Sequence, residues 1–464
     1  MNNETLLKLC EEVKKHNRID PADNEKFAVK SGLRNPDGTG VMAGLTKICS
    51  VDGYSFEDGE RVPRPGKLIY RGIDMRSIIT GCIKDGRYGF EEVIWLLLMG
   101  SLPTKSQLDG FLDTLTEART LPDNFVEDMI LKAPSPNVMN KMARSVLALY
   151  SYDDNPEDTS LPNVLRQSIQ LIARLPAIMV YAYQAKRRHY DNKGMYISQT
   201  KTTKSTAKAI LTSLRPSGEV SEAEARLLDL MLIMHAEHGG GNNSTFATRV
   251  LTSSGTDSYS AISAGFGSLK GPKHGGANIK VEEMMQYLRS AVKDPAADGQ
   301  VLDALCKMLR REVMDKSGLI YGMGHAVYTV SDPRAEVITE QIKNFPRIGE
   351  EEFARDFALL QSVERLTPQA FKEVKGKRRK VCANVDLYSG LVYKMLGIPD
   401  DLYTPLFAVA RTPGWAAHRI EELLTCGRII RPAYKSVANR HSYVSVDERS
   451  VIDEPMEYIP AEER

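Results

Sequence analysis

The sequence predicts a mostly α-helical protein with a small β-unit close to its start. Through most of the 464 residues, apolar side chains recur at spacings of three and four, which places them on one face of an α-helix. Several of these segments begin at capping residues or end at glycine. Alternating, strand-like segments are confined to about residues 41–74, where a stretch with glycine and proline separates them.

Three segments illustrate the helix assignments. Phe90–Gly100 is an almost uninterrupted apolar run that ends in glycine, with Pro103 close behind, so we expect a buried helix that stops there. Asn140–Tyr150 is a second helix. Val164–Arg188 repeats apolar residues over a longer span, and Pro176 inside it is expected to kink the helix.

A fourth helix, Glu219–His238, has the clearest start and end. Ser221 and Glu224 form an S-x-x-E capping box, in which each side chain accepts a backbone N–H of the first turn. Three glycines follow the last residue and stop the helix. On this interpretation His235 and His238, three residues apart, lie on one helix face.

Composition excludes several classes of protein. The 61 basic and 60 acidic residues give a net charge of +1, so no global field attracts nucleic acid or a membrane surface. The six cysteines are widely spaced without a C-x-x-C pair, which argues against zinc or thioredoxin-type chemistry. The first 20 residues contain acidic side chains and lack the apolar core of a signal peptide, and no run of 18 apolar residues occurs. We therefore expect a cytoplasmic protein without a membrane span.

A change in composition suggests boundaries near Asn278 and Val385. Between them lies a charged, helix-forming stretch with polar connectors, and the flanking segments are more apolar. The expected organisation is one domain formed by residues 1–278 and 386–464, with a second domain at 279–385.

Four patches combine ionisable side chains with glycine. In the first, HAEHGGGNNSTFATR, His238 precedes three glycines that allow a ligand to approach the backbone. A metal site would need a third ligand and usually H-E-x-x-H spacing, which is absent, and a simple helix end with a polar loop is the alternative. In the second, SLKGPKHGGAN, His274 lies in a glycine loop where Lys273 could keep it neutral, although a lone loop histidine is more often a surface residue.

In the third patch, His325 follows the loop Tyr-Gly-Met-Gly, and the turn Asp-Pro-Arg that ends at Arg334 is expected to start a helix. In the fourth, Asp386 begins an apolar helical run, either as an N-cap or as a carboxylate base. Arg411 and Arg431 add fixed cations. Arginines around histidines suit a dicarboxylate ligand, because a guanidinium binds a carboxylate through two parallel hydrogen bonds.

Six motifs, taken in order, resemble those of the citrate synthase family. They are LIYRGIDM at 68–75, HGGGNNST at 238–245, GPKHGGAN at 271–278, YGMGHAV with DPRA at 321–335, NVDLYSG at 384–390, and ARTPGW with a later RP at 410–432. The resemblance implies a multi-helical homodimer in which a large domain forms the interface and a small domain, here about 279–385, closes over the site.

The resemblance also implies the catalytic roles. Asp386 would remove a proton from the acetyl group of acetyl-CoA, and His274 would stabilise the enol oxygen by donating a hydrogen bond. His325 would polarise and protonate the carbonyl of oxaloacetate. Hydrolysis of the citryl thioester would release CoA, without a metal or a cofactor.

The family motifs further imply which residues hold the substrates. For oxaloacetate they imply four side chains, one of them from the partner subunit: His238, Arg334, Arg411 and the partner's Arg431. Asn242 and Ser244 would support this set, and Ser244 would orient His274. For CoA they suggest the loop Gly322, Met323 and Gly324. Many family members place Arg or Lys four residues after the catalytic histidine to meet a CoA phosphate, but this chain has Thr329 there.

A basic loop could supply the missing charge for the CoA phosphates. It contains Lys375, Lys377 and Arg378, and a merely solvated loop is the alternative. Three alternatives for function stay open. A 2-methylcitrate synthase would use propionyl-CoA and differ only in space for one methyl group. The others are an inactive CoA-binding homologue and a metal hydrolase built on the HAEH segment.

Overall fold

A computed structural model describes residues 2–16, 19–58, 60–198, 203–377, 380–425, 427–438 and 443–449. The chain forms two compact units, Leu45–Ile429 and a smaller one made of Met1–Gly44 and Ile430–Arg464. The smaller unit contains helices α1 (Asn3–His16) and α2 (Pro21–Lys26). Helix α2 starts where it does because the Asp20 carboxylate accepts the Ala22 N–H.

The larger unit opens with a three-stranded antiparallel sheet in the order β1-β2-β3. Its strands are β1 (Cys49–Glu57), β2 (Glu60–Tyr70) and β3 (Ile73–Asp74). Cys49 pairs with Tyr70, and the register shifts between Asp52 and Tyr54. The predicted β-unit at about 41–74 is therefore confirmed.

The rest of the larger unit is helical, which confirms the predicted fold class. The α-helices of its described residues are α3 (Met75–Asp85), α4 (Phe90–Met99), α5 (Lys105–Ala118), α6 (Val138–Leu149), α7 (Leu161–Tyr190), α8 (Thr206–Leu214), α9 (Glu222–His235), α10 (Asn243–Ser253), α11 (Ser258–Leu269), α12 (Ala277–Ala291), α13 (Asp298–Leu309), α14 (Pro333–Asn344), α15 (Glu351–Lys375), α16 (Val385–Met395) and α17 (Tyr403–Thr425). Helix α7 continues through Pro176. Within the described residues, no helix is both long and apolar enough to span a membrane.

Local sequence signals predicted most helix ends correctly, but the predicted end of α9 was wrong. Gly100 ends α4 in the left-handed conformation, and the Ser221–Glu224 capping box starts α9. However, α9 ends at His235, so His235 and His238 do not share a helix face. The reason is a side chain: the Glu237 carboxylate accepts the N–H groups of His238 and Gly239, which a longer helix would have bonded internally.

Helix α17 lies in the core of the larger unit. Every residue from Tyr403 to Ile420 is buried, and the helix packs against α4, α7, α9, α10 and α11. Elsewhere in this unit, α12 and α14 pack against α16, and α13 packs against α15. The predicted boundaries near 278 and 385 stay predictions.

Candidate active site

The loop that carries His325 and the segment that leads to Asp386 are paired through their backbones. The Gly324 N–H donates to the Cys382 carbonyl at 2.8 Å, and the side-chain NH2 of Asn384 donates to the Gly324 carbonyl at 2.9 Å. Two segments far apart in sequence are thereby held side by side, so His325 and Asp386 emerge from neighbouring backbone.

Gly322 makes this pairing possible. Its φ is +78°, and a Cβ there would lie 2.8 Å from Leu387 Cα. Only glycine combines that backbone conformation with so close an approach to α16.

Asp386 lies in the first turn of α16, and Asn384 is the N-cap. The Asn384 side chain accepts the Asp386 N–H at 2.9 Å, so the alternative in which Asp386 caps the helix was wrong. The Asp386 Oδ1 atom is buried and has no hydrogen-bond partner among the described residues. Burial raises the pKa of this carboxyl to about 6, with Arg334 opposing the shift and Asp332 adding to it.

The ring of His325 is held in one tautomer. Its Nδ1 atom accepts the N–H groups of Val327 at 3.0 Å and Tyr328 at 3.1 Å. Because Nδ1 acts as an acceptor, the proton of the neutral ring is on Nε2. The ring also stacks on Tyr328, with 4.6 Å between centroids, and meets the His238 ring edge-on at 5.1 Å.

His274 is held by a serine that is itself held by a tryptophan. Its Nε2 lies 3.0 Å from Ser244 Oγ, which also accepts the Trp415 indole N–H at 3.2 Å. Burial, and next the charge of Arg411, lower the pKa of His274 to about 4. Lys273, the cation predicted to keep this ring neutral, is not among the groups that lower the pKa.

Arg411 is fully buried in α17 and has unsatisfied donors. Its Nε donates to the His235 carbonyl at 2.7 Å, but both terminal nitrogens lack a partner among the described residues. The Nε2 atom of His238 is likewise buried without one. A buried guanidinium with two open donors is costly unless a ligand fills them.

Arg334 contributes a second buried guanidinium, at the start of α14. Asp332 caps that helix and binds Arg334 Nε at 3.0 Å and Nη2 at 2.7 Å, so the predicted helix start is confirmed. Arg334 opposes the rise in the pKa of Asp386 and, after burial, lowers the pKa of His238. Arg411 acts in the same direction on His238 and on His274. These shared fields link the two histidines and the carboxylate into one electrostatic cluster.

Other predicted residues lie elsewhere in the chain. Arg431 belongs to the smaller unit, where it is exposed. Lys375 and Lys377 are exposed at the end of α15, and Arg378 lies outside the described residues. In the described residues, no group of three or more His, Cys, Asp or Glu could hold a metal ion.

Sequence reasoning missed several side chains that hold this cluster. Tyr328 stacks on His325, and its hydroxyl donates to the Lys67 carbonyl at 3.1 Å. Trp415 holds Ser244. Tyr328 comes three residues after His325, and Trp415 four residues after Arg411. That spacing places both near a candidate site residue, but it does not show which groups they hold.

Comparison with known proteins decides the family. A family model described as citrate synthase, C-terminal domain, matches residues 35–433. The chain belongs to the citrate synthase family. A citrate synthase of Haloferax volcanii is 31% identical over 415 residues, covering 88% of this chain and 97% of the relative. A 2-methylcitrate synthase of Corynebacterium glutamicum is 29% identical over 397 residues, covering 85% of this chain and 92% of the relative.

A solved structure has the same fold. It is a ternary complex of carboxymethyl coenzyme A and oxaloacetate with the citrate synthase of Thermoplasma acidophilum, with a TM-score of 0.71 at 25% identity, covering 91% of this chain and 99% of that one. The resemblance seen in the sequence motifs is therefore confirmed for family and fold. As a citrate synthase family member, the chain is a condensing acyltransferase.

Proposed function

We propose that this protein is a citrate (si)-synthase, which condenses acetyl-CoA with oxaloacetate and water to give citrate and CoA. The observation that carries the proposal is that three residues of the candidate site have buried atoms without partners among the described residues, namely the Arg411 terminal nitrogens, His238 Nε2 and Asp386 Oδ1. A dicarboxylate beside an acyl group would satisfy these atoms, since the arginine and histidine nitrogens can bind an anion and the aspartate oxygen can accept a proton.

Oxaloacetate would bind first to the cations. The two terminal nitrogens of Arg411 would take one carboxylate in a bidentate pair, while Arg334 and His238 would complete the pocket. In this proposal the chain acts as a homodimer, with the partner's Arg431 adding a further guanidinium. Asn242 supports the pocket through its side-chain amide, which lies 2.9 Å from Ser244 Oγ.

Enolisation would use the groups next to the acyl carbon. Asp386 takes the α-proton of acetyl-CoA, and a pKa near 6 makes it a stronger base than an ordinary aspartate while leaving it ionised at neutral pH. A thioester α-proton is far less acidic than a carboxylic acid, so the enol oxygen needs a donor where charge develops. His274 supplies it as a neutral imidazole, as its lowered pKa requires.

The donor nitrogen of His274 depends on its neighbours. For Nδ1–H to face the enol, Nε2 has to accept a hydrogen bond from the Ser244 hydroxyl, 3.0 Å away. In that arrangement the Asn242 side-chain amide is flipped, so that its NH2 group donates to Ser244 Oγ.

Carbon–carbon bond formation would follow. The enol carbon attacks the ketone carbon of oxaloacetate, and the carbonyl oxygen takes a proton from His325 Nε2, the nitrogen that carries hydrogen because Nδ1 is an acceptor. The proton that Asp386 removed then returns to His325 through water, so that both groups are restored before the next turnover. Water then cleaves the C–S bond of the citryl thioester and CoA leaves as the thiol. For CoA itself we propose the loop at Gly322–Gly324 and, for the phosphates, the basic loop that includes Lys375 and Lys377.

The alternative is a 2-methylcitrate synthase, because two relatives from Corynebacterium glutamicum carry that name. The two activities share every catalytic step and differ by one methyl group, worth roughly 1–3 kcal/mol in an apolar pocket. An inactive CoA-binding homologue is disfavoured by the intact set of His274, His325 and Asp386.

Steady-state kinetics with both acyl-CoAs test the proposal. We expect CoA release from acetyl-CoA and oxaloacetate, with a kcat/KM at least about tenfold above that for propionyl-CoA. A tenfold preference for propionyl-CoA would make the protein a 2-methylcitrate synthase. Absence of CoA release with either substrate, although oxaloacetate binds, would favour the inactive homologue.

A further inference from the structure

Glu237 is a fully buried carboxylate next to His238, and no motif gives it a role. Its Oε1 atom accepts the N–H groups of His238 at 2.9 Å and Gly239 at 2.6 Å. These are the backbone groups that carry the His238 ring and begin the glycine run. The carboxylate therefore fixes the position from which the ring leaves the chain.

A second anchor reaches Glu237 from α17. The Nε2 atom of His418 lies 3.1 Å from Glu237 Oε1, while its Nδ1 faces Arg249 Nε at 3.0 Å and Nη2 at 2.7 Å. Because a guanidinium only donates, Nδ1 is the acceptor and Nε2 carries the proton that Glu237 receives. Arg249 is held in turn by Glu422 at 2.6 Å and by Glu421.

One face of α17 serves both Glu237 and the substrate pocket. Arg411, Gly414 and His418 are spaced by three and four residues and so share that face. A Cβ at Gly414 would lie 2.2 Å from Glu237 Oε2, so the carboxylate packs against the helix where only glycine fits. Burial lowers the pKa of Arg411, and the charge of Glu237 opposes that shift.

We propose that Glu237 is a positioning residue for oxaloacetate. By binding the backbone at His238 on one side and His418 on the other, it sets the distance between His238 and the guanidinium of Arg411. The inference rests on the proposed function, because that function makes these two side chains the ends of one dicarboxylate pocket. Loss of the anchor weakens oxaloacetate binding and leaves acyl-CoA binding unchanged.

The chain offers a matched control in Asp229, on helix α9, which ends two residues before Glu237. Its buried carboxylate also accepts two backbone N–H groups, those of Gly89 at 2.7 Å and Phe90 at 3.2 Å, at the start of α4. Removal of the Asp229 carboxylate should lower stability, because it breaks hydrogen bonds of the same kind as those between Glu237 and the backbone. A purely structural role for Glu237 predicts the same behaviour for both residues.

The test compares Glu237→Ala, Glu237→Gln and Asp229→Ala in the full-length protein. We expect Glu237→Ala to raise the KM for oxaloacetate by at least about tenfold, with the KM for acetyl-CoA within about twofold. Glu237→Gln keeps an oxygen acceptor and should restore the KM for oxaloacetate to within about threefold of the unaltered value. Asp229→Ala should lower Tm while both KM values stay within about twofold.

If Glu237→Ala does not fold, His418→Phe is the variant that tests the proposal. It keeps a buried ring but removes the donor to Glu237, and we expect a rise of about threefold in the KM for oxaloacetate alone. Equal KM changes for both substrates, or no change in either variant, would overturn the proposal. Calorimetric titration with oxaloacetate separates this outcome from failure of the proposed function: loss of binding in the variants supports the role of Glu237 even where the unaltered protein releases no CoA.

Discussion

Two groups of charged side chains in the larger unit, each with buried members, differ in how completely they are paired. In the first, Arg289 binds Asp356 through two hydrogen bonds of 2.8 and 2.7 Å and Glu282 through a third of 3.0 Å. Lys394 lies 2.9 Å from Glu282. This group joins α12, α15 and α16, and each of its carboxylates has a cation.

The second group is the candidate active site, where pairing is incomplete. Arg411 is more deeply buried than Arg289, yet its two terminal nitrogens have no partner among the described residues. The same holds for Asp386 Oδ1 and His238 Nε2. Since an uncompensated buried charge costs several kcal/mol, a fold keeps one only where a ligand or a reaction uses it.

The comparison shows that burial of charge alone does not mark a functional site. The Arg289 group satisfies itself and joins three helices, so it is structural. In the Arg411 group, two donor nitrogens and a carboxylate oxygen lack partners among the described residues, and we propose that a ligand fills them. Substitutions in the two groups should therefore separate stability from activity.

The largest effect is expected from Asp386→Asn. The amide keeps the shape of the side chain but cannot take the α-proton, so kcat should fall by about a thousandfold while oxaloacetate still binds. An aspartate whose pKa is raised from 3.8 to about 6 destabilises the folded state at neutral pH by up to roughly 3 kcal/mol. The variant should therefore also melt at a higher temperature. Unchanged turnover would remove Asp386 from its role.

The next effect contrasts Arg411→Met with Arg289→Met. Loss of a bidentate partner should weaken oxaloacetate about a hundredfold in calorimetric titration of Arg411→Met. Arg289→Met should leave that affinity within about twofold and instead lower Tm, because the buried Asp356 carboxylate loses both of its hydrogen bonds from Arg289 and keeps only Lys394, at 3.9 Å. Equal loss of oxaloacetate affinity in the two variants would end the distinction between the groups.

The smallest effect is the dependence on pH. The pKa of Asp386 lies above its usual range, so the base is ionised at pH 7 and becomes protonated as pH falls through about 6. Below that value kcat/KM should drop about tenfold per pH unit. The same shift has the opposite sign for stability: the contribution of Asp386 becomes more favourable as pH falls from about 6 to about 4. A kcat/KM that stays constant to pH 4 would exclude a base with this pKa.

Local signals in the sequence were enough for most of the fold and for naming the candidate residues of the site. The Ser221–Glu224 capping box and Gly100 determine helix ends through neighbours in the same turn, which a sequence shows directly. The motifs identified His274 and Asp386 because each motif contains the reactive side chain. What the motifs lacked was information about the groups that hold those side chains in place.

Those supporting contacts span long distances in sequence. Trp415 meets Ser244 across 171 positions, and His418 meets Glu237 across 181. Sequence periodicity carries no information about such pairs. The misplaced end of α9 has the same origin, because the Glu237 carboxylate that stops the helix is itself held from α17.

The proposed oxaloacetate pocket depends most on the two unpaired terminal nitrogens of Arg411, and a solved structure with oxaloacetate bound would show directly whether the ligand pairs with them. We predict a carboxylate of the ligand in a bidentate pair, with its oxygens about 3 Å from both terminal nitrogens of Arg411. A complex in which oxaloacetate lies elsewhere, with those nitrogens still unpaired, would contradict it.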